Sequence, residues 1–238
     1  WTLCPIGNYT SVRSLMVDES TSRIYAGGSE EFGYYHNDPD RGCFVYKSLM
    51  PTLPKRDRHF TEVWNIHKSG KYIWFQSDFN LLRFDGSKSI SIPYKYKITT
   101  SALIRGRLYI ASKEGGICQL NGKTFTSVPG GERVKGMRVC ALLPYLKGNI
   151  LIVTEFNGVF IFDGATVRPF EMDIDPFLKA NQVFCAATNE RELVFGTVNN
   201  GIIIKDITNG NNTFVNMSTG LQNNTVLSID FDRMDNIW

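Results

Sequence analysis

The chain has 238 residues, of which 42% are hydrophobic and 21% charged, as in a globular protein with a sizeable core. The formal net charge of +3 is too small to indicate a nucleic-acid partner, and no basic run is longer than Lys55-Arg56. No apolar stretch is long enough to cross a bilayer as a helix, and residues 1–5 do not resemble a signal peptide.

Strand-like runs recur along the whole chain. First strands are predicted near residues 12–18, 60–67, 99–104, 137–143, 182–188 and 225–231. A second apolar run follows each of them, with anchors at spacings of 49, 35, 43, 42 and 44 residues: Tyr25, Trp74, Tyr109, Ile152, Val194 and Trp238. Four of the third strands then reach an Asx-Gly pair, at positions 85–86, 121–122, 163–164 and 209–210. These pairs favour two-residue hairpin turns in which both central residues need positive φ.

Four antiparallel strands repeated every ~43 residues are typical of β-propeller blades. We therefore predict an all-β fold of tandem four-stranded antiparallel blades, with about five blades and the start of a sixth. The approximate blade limits are 12–53, 60–95, 98–131, 137–172, 181–218 and, in part, 225–238. Residues 175–182 are the one candidate turn of helix. Because the chain stops inside a repeat, we expect it to be part of a longer protein whose open edges could form a homodimer.

Cysteine, histidine and the aromatic residues are interpreted as structural. The five cysteines are odd in number and form no Cys-x-x-Cys pair, so buried free thiols are expected at Cys118, Cys140 and Cys185. His36, His59 and His67 have no partner at metal-ligand spacing, so neither a metal site nor a cofactor is predicted. Packing between blades is predicted for Trp64, Trp74, Tyr109 and Trp238.

The loops between second and third strands form the candidate ligand face. They read "GSEEFGYY", "QSDFN", "SKEGG", "TEFNG" and "TVNNG", and propeller symmetry would place them on one face. Polar groups beside aromatic rings are what sugars require. The candidate ligand-binding residues are Glu30, Glu31, Phe32, Tyr34, Gln76, Asp78, Lys113, Glu114, Glu155, Asn157, Asn199 and Asn200. No catalytic residue is assigned, although two of the loop carboxylates could act on a glycosidic bond if they lie close together.

The stretch "GLQNNTVLSIDFDRMDNIW" resembles the two-component regulator propeller repeat, and "VRSLMVDESTSRIYAGGSEEFGYY" and "YIWFQS" are similar to the same family. Met234 stands where that repeat usually has a turn glycine. The resemblance implies the periplasmic sensor region of a Bacteroidetes-type signalling protein. In that family the propeller is tethered through a downstream membrane helix to a histidine kinase or a helix-turn-helix output domain.

Three classes of function follow. The resemblance favours a non-enzymatic sensor region that binds a small molecule or an oligosaccharide, with no nucleic-acid partner for this part of the chain. A propeller enzyme acting on polysaccharide is the second class. A scaffold for protein-protein contact or dimerisation, without a small-molecule site, is the third.

Overall fold

The computed structural model describes residues 3–189 and 191–238, which form five four-stranded antiparallel sheets. Each sheet is called a blade below. Blade 1 contains β1 (Val12–Asp18), β2 (Arg23–Gly28), β3 (Glu31–Asp38) and β4 (Cys43–Ser48), and blade 2 contains β5 (Val63–Ser69), β6 (Tyr72–Ser77), β7 (Asn80–Phe84) and β8 (Ser89–Pro93). Blade 3 contains β9 (Ile98–Ile104), β10 (Arg107–Ser112), β11 (Gly116–Asn121) and β12 (Thr124–Ser127).

Blade 4 contains β13 (Val139–Pro144), β14 (Ile150–Thr154), β15 (Val159–Phe162) and β16 (Val167–Pro169). Blade 5 contains β17 (Val183–Thr188), β18 (Glu192–Thr197), β19 (Ile202–Asp206) and β20 (Asn212–Val215). The predicted first strands near 12–18, 60–67, 99–104, 137–143 and 182–188 are therefore confirmed as β1, β5, β9, β13 and β17. Strands within each blade follow the order of the chain, as in a series of hairpins.

The chain divides into two compact units. The first unit runs to Leu108 and includes Leu120–Phe125, and the second comprises Tyr109–Gln119 and Thr126–Trp238. Blades 1 and 2 thus belong to the first unit, blades 4 and 5 to the second, and blade 3 contributes residues to both.

Helical structure is sparse. The predicted turn of helix is confirmed as α1 (Asp175–Ala180), and short 3-10 turns occupy Met50–Thr52, Lys55–Asp57, Gly131–Val134 and Leu146–Gly148. In the part of the chain that the structure describes, no helix combines the length and the apolar character needed to span a membrane.

The Asx-Gly turns differ from the predicted two-residue type. Gly86, Gly122, Gly164 and Gly210 have positive φ, but the residue before each of them does not. The Asp85 carboxylate instead accepts hydrogen bonds from the backbone N–H groups of Ser87 and Lys88, and these bonds lower its pKa. Asp163 holds the equivalent turn of blade 4 in the same way. An Asx turn, in which the side chain replaces a backbone acceptor, needs only one residue with positive φ.

A β-bulge near the start of the first strand recurs in four blades. The pairing register shifts between Val12 and Ser14, Val63 and Asn65, Val139 and Ala141, and Val183 and Cys185. One extra residue therefore lies in each bulge: Arg13, Trp64, Cys140 and Phe184. A bulge interrupts the strict alternation of side chains and re-aims the extra one. These four side chains cannot be placed by a period-two sequence pattern.

The core of the first unit lies between blades 1 and 2. Tyr25, Phe32 and Tyr34 of blade 1 pack with Val63, Phe75 and Leu82 of blade 2 in one buried cluster. The rings of Phe32 and Phe75 meet edge to face at 4.8 Å between centroids. A Cβ on Gly27 would lie 2.4 Å from Val63 Cγ1, so only glycine lets that valine seat against β2.

An ion pair also joins blades 1 and 2. The Lys68 ammonium contacts Asp18, which is 4% exposed and also accepts hydrogen bonds from the Ser20 and Thr21 hydroxyls. Burial by itself would raise the pKa of Asp18, but the hydrogen bonds from Lys68, Ser20 and Thr21 outweigh it and lower the pKa to about 2.

In the second unit, blades 4 and 5 share a separate core with α1. Leu151, Val153 and Ile161 of blade 4 pack with Phe195 and Ile203 of blade 5. From α1, Leu178 adds a fully buried side chain to this cluster, 1% exposed. The helix therefore fills the space between two blades within this unit, which explains why a short α-helix occurs among the strands.

The described residues contain no sixth sheet, so the predicted sixth blade is not confirmed. No strand occupies 225–231, and an isolated bridge joins Phe231 to Ile237. Val226 nevertheless donates its backbone N–H to Thr197 O at 2.9 Å and packs over Gly196. Gly196 occupies the position in β18 that Gly27 occupies in β2. Val226 therefore packs on blade 5 in the way that Val63, from blade 2, packs on blade 1.

Candidate functional site

Three loops of the second unit share one conformation. They join second to third strands in blades 3, 4 and 5 and span residues 112–116, 154–158 and 197–201. In each loop the hydroxyl of the first residue accepts a hydrogen bond from the backbone N–H three residues later. Gly115 donates to Ser112 at 2.9 Å, Asn157 to Thr154 at 3.0 Å, and Asn200 to Thr197 at 3.0 Å. The shared Ser/Thr-x-x-x-Gly spacing thus defines one loop built three times.

The last residue of each loop must be glycine. Gly116, Gly158 and Gly201 have φ of +72°, +77° and +72°, a region that L side chains rarely adopt. A Cβ on Gly116 would also lie 2.1 Å from Gly131 O, and one on Gly201 would lie 2.2 Å from Val215 O. The hydroxyl and the glycine hold the ends of the loop, so its middle residues are free to vary.

Predicted ligand residues occupy the middle of these loops. Lys113, Glu114, Asn157 and Asn199 are exposed, and Glu155 and Asn200 are half-buried. Phe156, between Glu155 and Asn157, is 48% exposed. The structure thus places all six predicted residues of the second unit at solvent-facing tips, with an aromatic ring beside two of them.

Glu155 is the most constrained of these residues. Its Oε1 accepts a hydrogen bond from Gln182 Nε2 at 2.9 Å and forms an ion pair with Arg138 Nη1 at 3.3 Å. Backbone bonds fix it further, since its N–H donates to Arg138 O and its carbonyl accepts from Val183 N. One oxygen is therefore held by two partners, while the carboxylate keeps a second oxygen for further donors.

Arg138 and Gln182 were not predicted from the sequence. Arg138 directly precedes Val139, which begins β13, and so faces the loop of its own blade. Gln182 directly precedes Val183, which begins β17, and so faces the loop of the preceding blade. The Arg138 guanidinium also lies 5.4 Å from the ring centre of Phe184, the bulge residue of β17. In the sequence, both residues belong to a recurrent pair, a polar residue followed by valine. That pair predicts a contact with Glu155 only when the position of the loops is known.

An unpaired buried oxygen borders the blade 4 loop. Oδ1 of Asp175 is buried and has no hydrogen-bond partner among the described residues, while Oδ2 lies 3.7 Å from Lys179 Nζ. A Cβ on Gly158 would lie 3.6 Å from this carboxylate and 3.1 Å from Lys179 Cε, so both side chains flank the loop. A buried acceptor without a donor is costly, which marks Asp175 as a candidate acceptor beside this loop.

Glu31 has a structural environment in the first unit. The carboxylate is 6% exposed, and Oε1 accepts hydrogen bonds from Ser48 Oγ at 2.7 Å, Phe32 N at 3.0 Å and Tyr46 OH at 3.1 Å. Burial, reinforced by this carboxylate, raises the pKa of Tyr46. Glu30, by contrast, is exposed, with a φ of +52° and its N–H bonded to Thr61 O.

Phe32 and Tyr34 have no exposed face for a ligand. Phe32 is fully buried between Phe60 and Phe75, and Tyr34, 6% exposed, contacts Tyr25 and the Arg23 guanidinium. Both residues lie in β3, and blade 2 packs against their side chains. The expectation that they form aromatic platforms is corrected, because both rings belong to the core of the first unit.

The Gln76 amide is used inside the protein. It is fully buried, and its Oε1 accepts from Asn65 Nδ2 at 2.7 Å and Ser101 Oγ at 3.4 Å. The same serine hydroxyl contacts His67 Nε2 at 2.8 Å. Burial lowers the pKa of His67 to about 4, although a hydrogen bond with the backbone of Ser101 opposes it. Gln76 therefore organises a polar network within the first unit.

Asp78, 8% exposed, is paired with two groups. Its Oδ1 accepts from Trp64 Nε1 at 2.9 Å, and its Oδ2 lies 3.2 Å from Lys97 Nζ. Trp74 and Tyr109 are buried, as predicted, but Trp64 is 41% exposed and Trp238 is 78% exposed. The packing role predicted for Trp64 is thus wrong, because the bulge of β5 turns Trp64 outward. The Trp238 indole donates a hydrogen bond to Asp232 Oδ2.

None of the five cysteines forms a disulfide, and two of them have strongly raised pKa values. Cys118 is buried and the other four are half-buried. Burial raises the pKa of Cys140 and of Cys185 to about 12, which makes these thiols poor nucleophiles. The described residues contain no group of three or more His, Cys, Asp or Glu side chains that could hold a metal ion.

Comparison with solved structures identifies the fold. The chain superposes on the extracellular domain of a protein assigned as a one-component system in B. thetaiotaomicron, with a TM-score of 0.73 and 19% identity over 98% of this chain and 32% of that one. The WD40 propeller domain of Doa1 matches with a TM-score of 0.71 and 9% identity, over 96% of this chain and 74% of that one. The chain has the β-propeller fold.

Virginiamycin B lyase from Staphylococcus aureus is also similar, with a TM-score of 0.60 and 13% identity over 87% of this chain and 70% of the lyase. An extracellular domain of a one-component system, a WD40 domain and a lyase thus share this architecture, so the likeness establishes only the fold. This chain spans about a third of the B. thetaiotaomicron structure. No family model matches the sequence, and no curated protein matches it.

Proposed function

We propose that this chain is the ligand-binding propeller of an extracytoplasmic sensor, and that the loops of the second unit bind a carbohydrate-derived ligand. The observation that carries the proposal is the triple use of one rigid loop with different polar tips, one of them beside the unpaired oxygen of Asp175. In such a loop the end residues fix the conformation, and the tip residues provide the contacts for a ligand.

The chemistry of the tips suits a polyhydroxylated ligand. Glu155 and Asp175 offer carboxylate acceptors, Asn157 and Asn199 offer both donors and acceptors, and Phe156 offers an exposed ring. Sugar hydroxyls act as donor and acceptor at once, and the C–H face of a pyranose stacks on aromatic rings. These groups meet both requirements within one unit.

The sensor assignment rests on the resemblance of the repeats and on the fold shared with an extracellular domain of a one-component system. Under this proposal the propeller lies in the periplasm of a membrane-tethered regulator, and ligand binding, with or without homodimerisation, is passed on through segments beyond the chain. Nucleic acid is not a partner of this region, and no cofactor takes part.

Calorimetric titration of the chain with a panel of neutral and acidic oligosaccharides tests the proposal. We expect one ligand class to bind, and Glu155→Gln and Asp175→Asn each to weaken it by about tenfold, because hydrogen bonds to charged groups contribute about 1.5 to 3 kcal/mol. Glu171→Gln, an exposed carboxylate of the same unit outside the loops, is the matched control and should bind like wild type.

The same mixtures, analysed by chromatography, separate sensing from catalysis. A sensor leaves every oligosaccharide intact. Hydrolysis or elimination that Glu155→Gln abolishes would replace the sensor with a polysaccharide-acting propeller enzyme. Failure of the whole panel to bind, together with concentration-dependent self-association, would favour the scaffold instead.

A further inference from the structure

The bulge in β5 places an indole ring on the surface of the first unit. Trp64 is the extra residue of that bulge and is 41% exposed, although it lies between the buried Val63 and the half-buried Asn65. Its Nε1 donates to Asp78 Oδ1 at 2.9 Å. Because the protein satisfies the only polar atom of the indole, the ring is held in one orientation and exposes carbon atoms to solvent.

Two ion pairs border this ring. Asp78 Oδ2 lies 3.2 Å from Lys97 Nζ, and Arg13 Nε lies 3.1 Å from Glu62 Oε2. The Arg13 guanidinium carbon is also 5.8 Å from the centre of the indole. Arg13, Trp64, Asp78 and Lys97 are therefore joined by an unbroken series of contacts, and Glu62 extends the series at the Arg13 end.

The balance of charge selects the chemistry of a ligand. The patch carries two cations and two carboxylates, and each charge already has a partner of opposite sign. An ionic ligand would have to break one of these pairs, whereas a hydroxyl can accept from a cation and donate to a carboxylate without separating them. The flat ring adds an apolar surface of the size that a sugar ring covers.

We propose that Arg13, Glu62, Trp64, Asp78 and Lys97 form a binding site for a neutral pyranose. The C–H face of the sugar stacks on the Trp64 indole, and its hydroxyls donate to Asp78 and Glu62 and accept from Arg13 and Lys97. The site shares no residue with the loops of the second unit, so it stands whether or not those loops bind a ligand.

Intrinsic tryptophan fluorescence and calorimetry with maltohexaose, cellohexaose, xylohexaose and mannohexaose test the site, with hexagalacturonate as the acidic comparison. At least one neutral oligosaccharide should bind and change the emission. Trp64→Ala should weaken that binding by about tenfold, since it removes the stacked ring and with it one of the two partners of Asp78. Phe44→Ala removes an aromatic ring of similar exposure, 45%, from β4 of the same unit and should bind like wild type.

Trp64→Phe distinguishes a stacking role from a structural one. The phenyl ring keeps a platform, so calorimetric affinity should stay within a few-fold of wild type, while the change in emission disappears because the indole that reports on the site has been replaced. Asp78→Asn should weaken binding without abolishing the emission change at saturation.

Several results would overturn the proposal. These are binding by none of the neutral oligosaccharides, binding by hexagalacturonate alone, wild-type affinity in Trp64→Ala, or an equal loss in Phe44→Ala. The proposal for the second unit is tested separately by Glu155→Gln, which should leave the Trp64 emission change intact. Loss of that change in Glu155→Gln would place the ligand away from Trp64 and refute this site.

Discussion

His67 Nε2 and Ser101 Oγ are joined by a hydrogen bond of 2.8 Å in the first unit. The bond links β5 to β9 and ends a polar series that runs from Asn65 through Gln76. Burial lowers the pKa of His67 to about 4, so the imidazole is neutral at pH 7 in the folded chain. The network is thus built around an uncharged histidine.

Protonation of His67 should destabilise the fold. The folded-state pKa of about 4 lies below the ordinary value of 6.5, so the unfolded chain binds more protons between these values. The free energy of unfolding should therefore fall, by about 1 to 3 kcal/mol, as pH drops from 6.5 to 4. Urea unfolding at a series of pH values measures the fall, and His67→Gln should remove that part of it. An unchanged profile in His67→Gln would contradict the assignment.

The Asp18–Lys68 pair should act in a lower pH range. The pKa of Asp18 is lowered to about 2 from 3.8, so its contribution is present above pH 3.8 and is lost as pH falls towards 2. Asp18→Asn should lower stability at pH 7 and flatten the profile below pH 3.8. Lys68→Met, which removes the partner, should flatten the same range. A flattening between pH 4 and 6.5 in either variant would be inconsistent with this pairing.

The hydroxyl of Thr154 should hold the blade 4 loop. Thr154→Val keeps the shape of the side chain but leaves the N–H of Asn157 without its acceptor, so the free energy of unfolding should fall by about 1 to 3 kcal/mol. Thr154→Ser retains the hydroxyl and is the matched control. Equal unfolding midpoints for the two variants in urea would show that the hydroxyl does not set the loop.

Alanine at two equivalent glycines should have unequal effects. A Cβ on Gly27 meets the fully buried Val63 at 2.4 Å, whereas one on Gly196 meets Cys185 Sγ at 2.6 Å and the half-buried Val226 and Ile229 at 2.8 and 2.9 Å. Gly27→Ala should destabilise the whole first unit, since β5 is paired within blade 2 and cannot withdraw.

Gly196→Ala should instead release residues 224–231, which no sheet holds. Hydrogen exchange followed by mass spectrometry reports both effects. Faster exchange confined to 224–231 in Gly196→Ala is the expected result, and global destabilisation equal to that of Gly27→Ala would count against it.

The sequence predicts the repeat better than it predicts the site. Strand alternation and anchor spacing locate five blades, because each blade buries the same apolar positions. The exposure of Trp64 is not predicted, because a bulge interrupts the period-two alternation of β5 and is visible only in the pairing with β6. The sequence pattern predicts Phe32 and Tyr34 in a loop, but β3 already begins at Glu31. Arg138 and Gln182 reach Glu155 through strand neighbours distant in sequence, a relationship that no local motif contains.

Hydrogen exchange with a saturating oligosaccharide from the calorimetric panel tests the central proposal most directly. If the loops of the second unit bind the ligand, amide exchange should slow in residues 112–116, 154–158 and 197–201. The turns at 163–166 and 206–211, which belong to the same blades but join third to fourth strands, should exchange as in the free chain. Protection limited to those turns, or no protection in any of the three loops at saturation, would contradict the account.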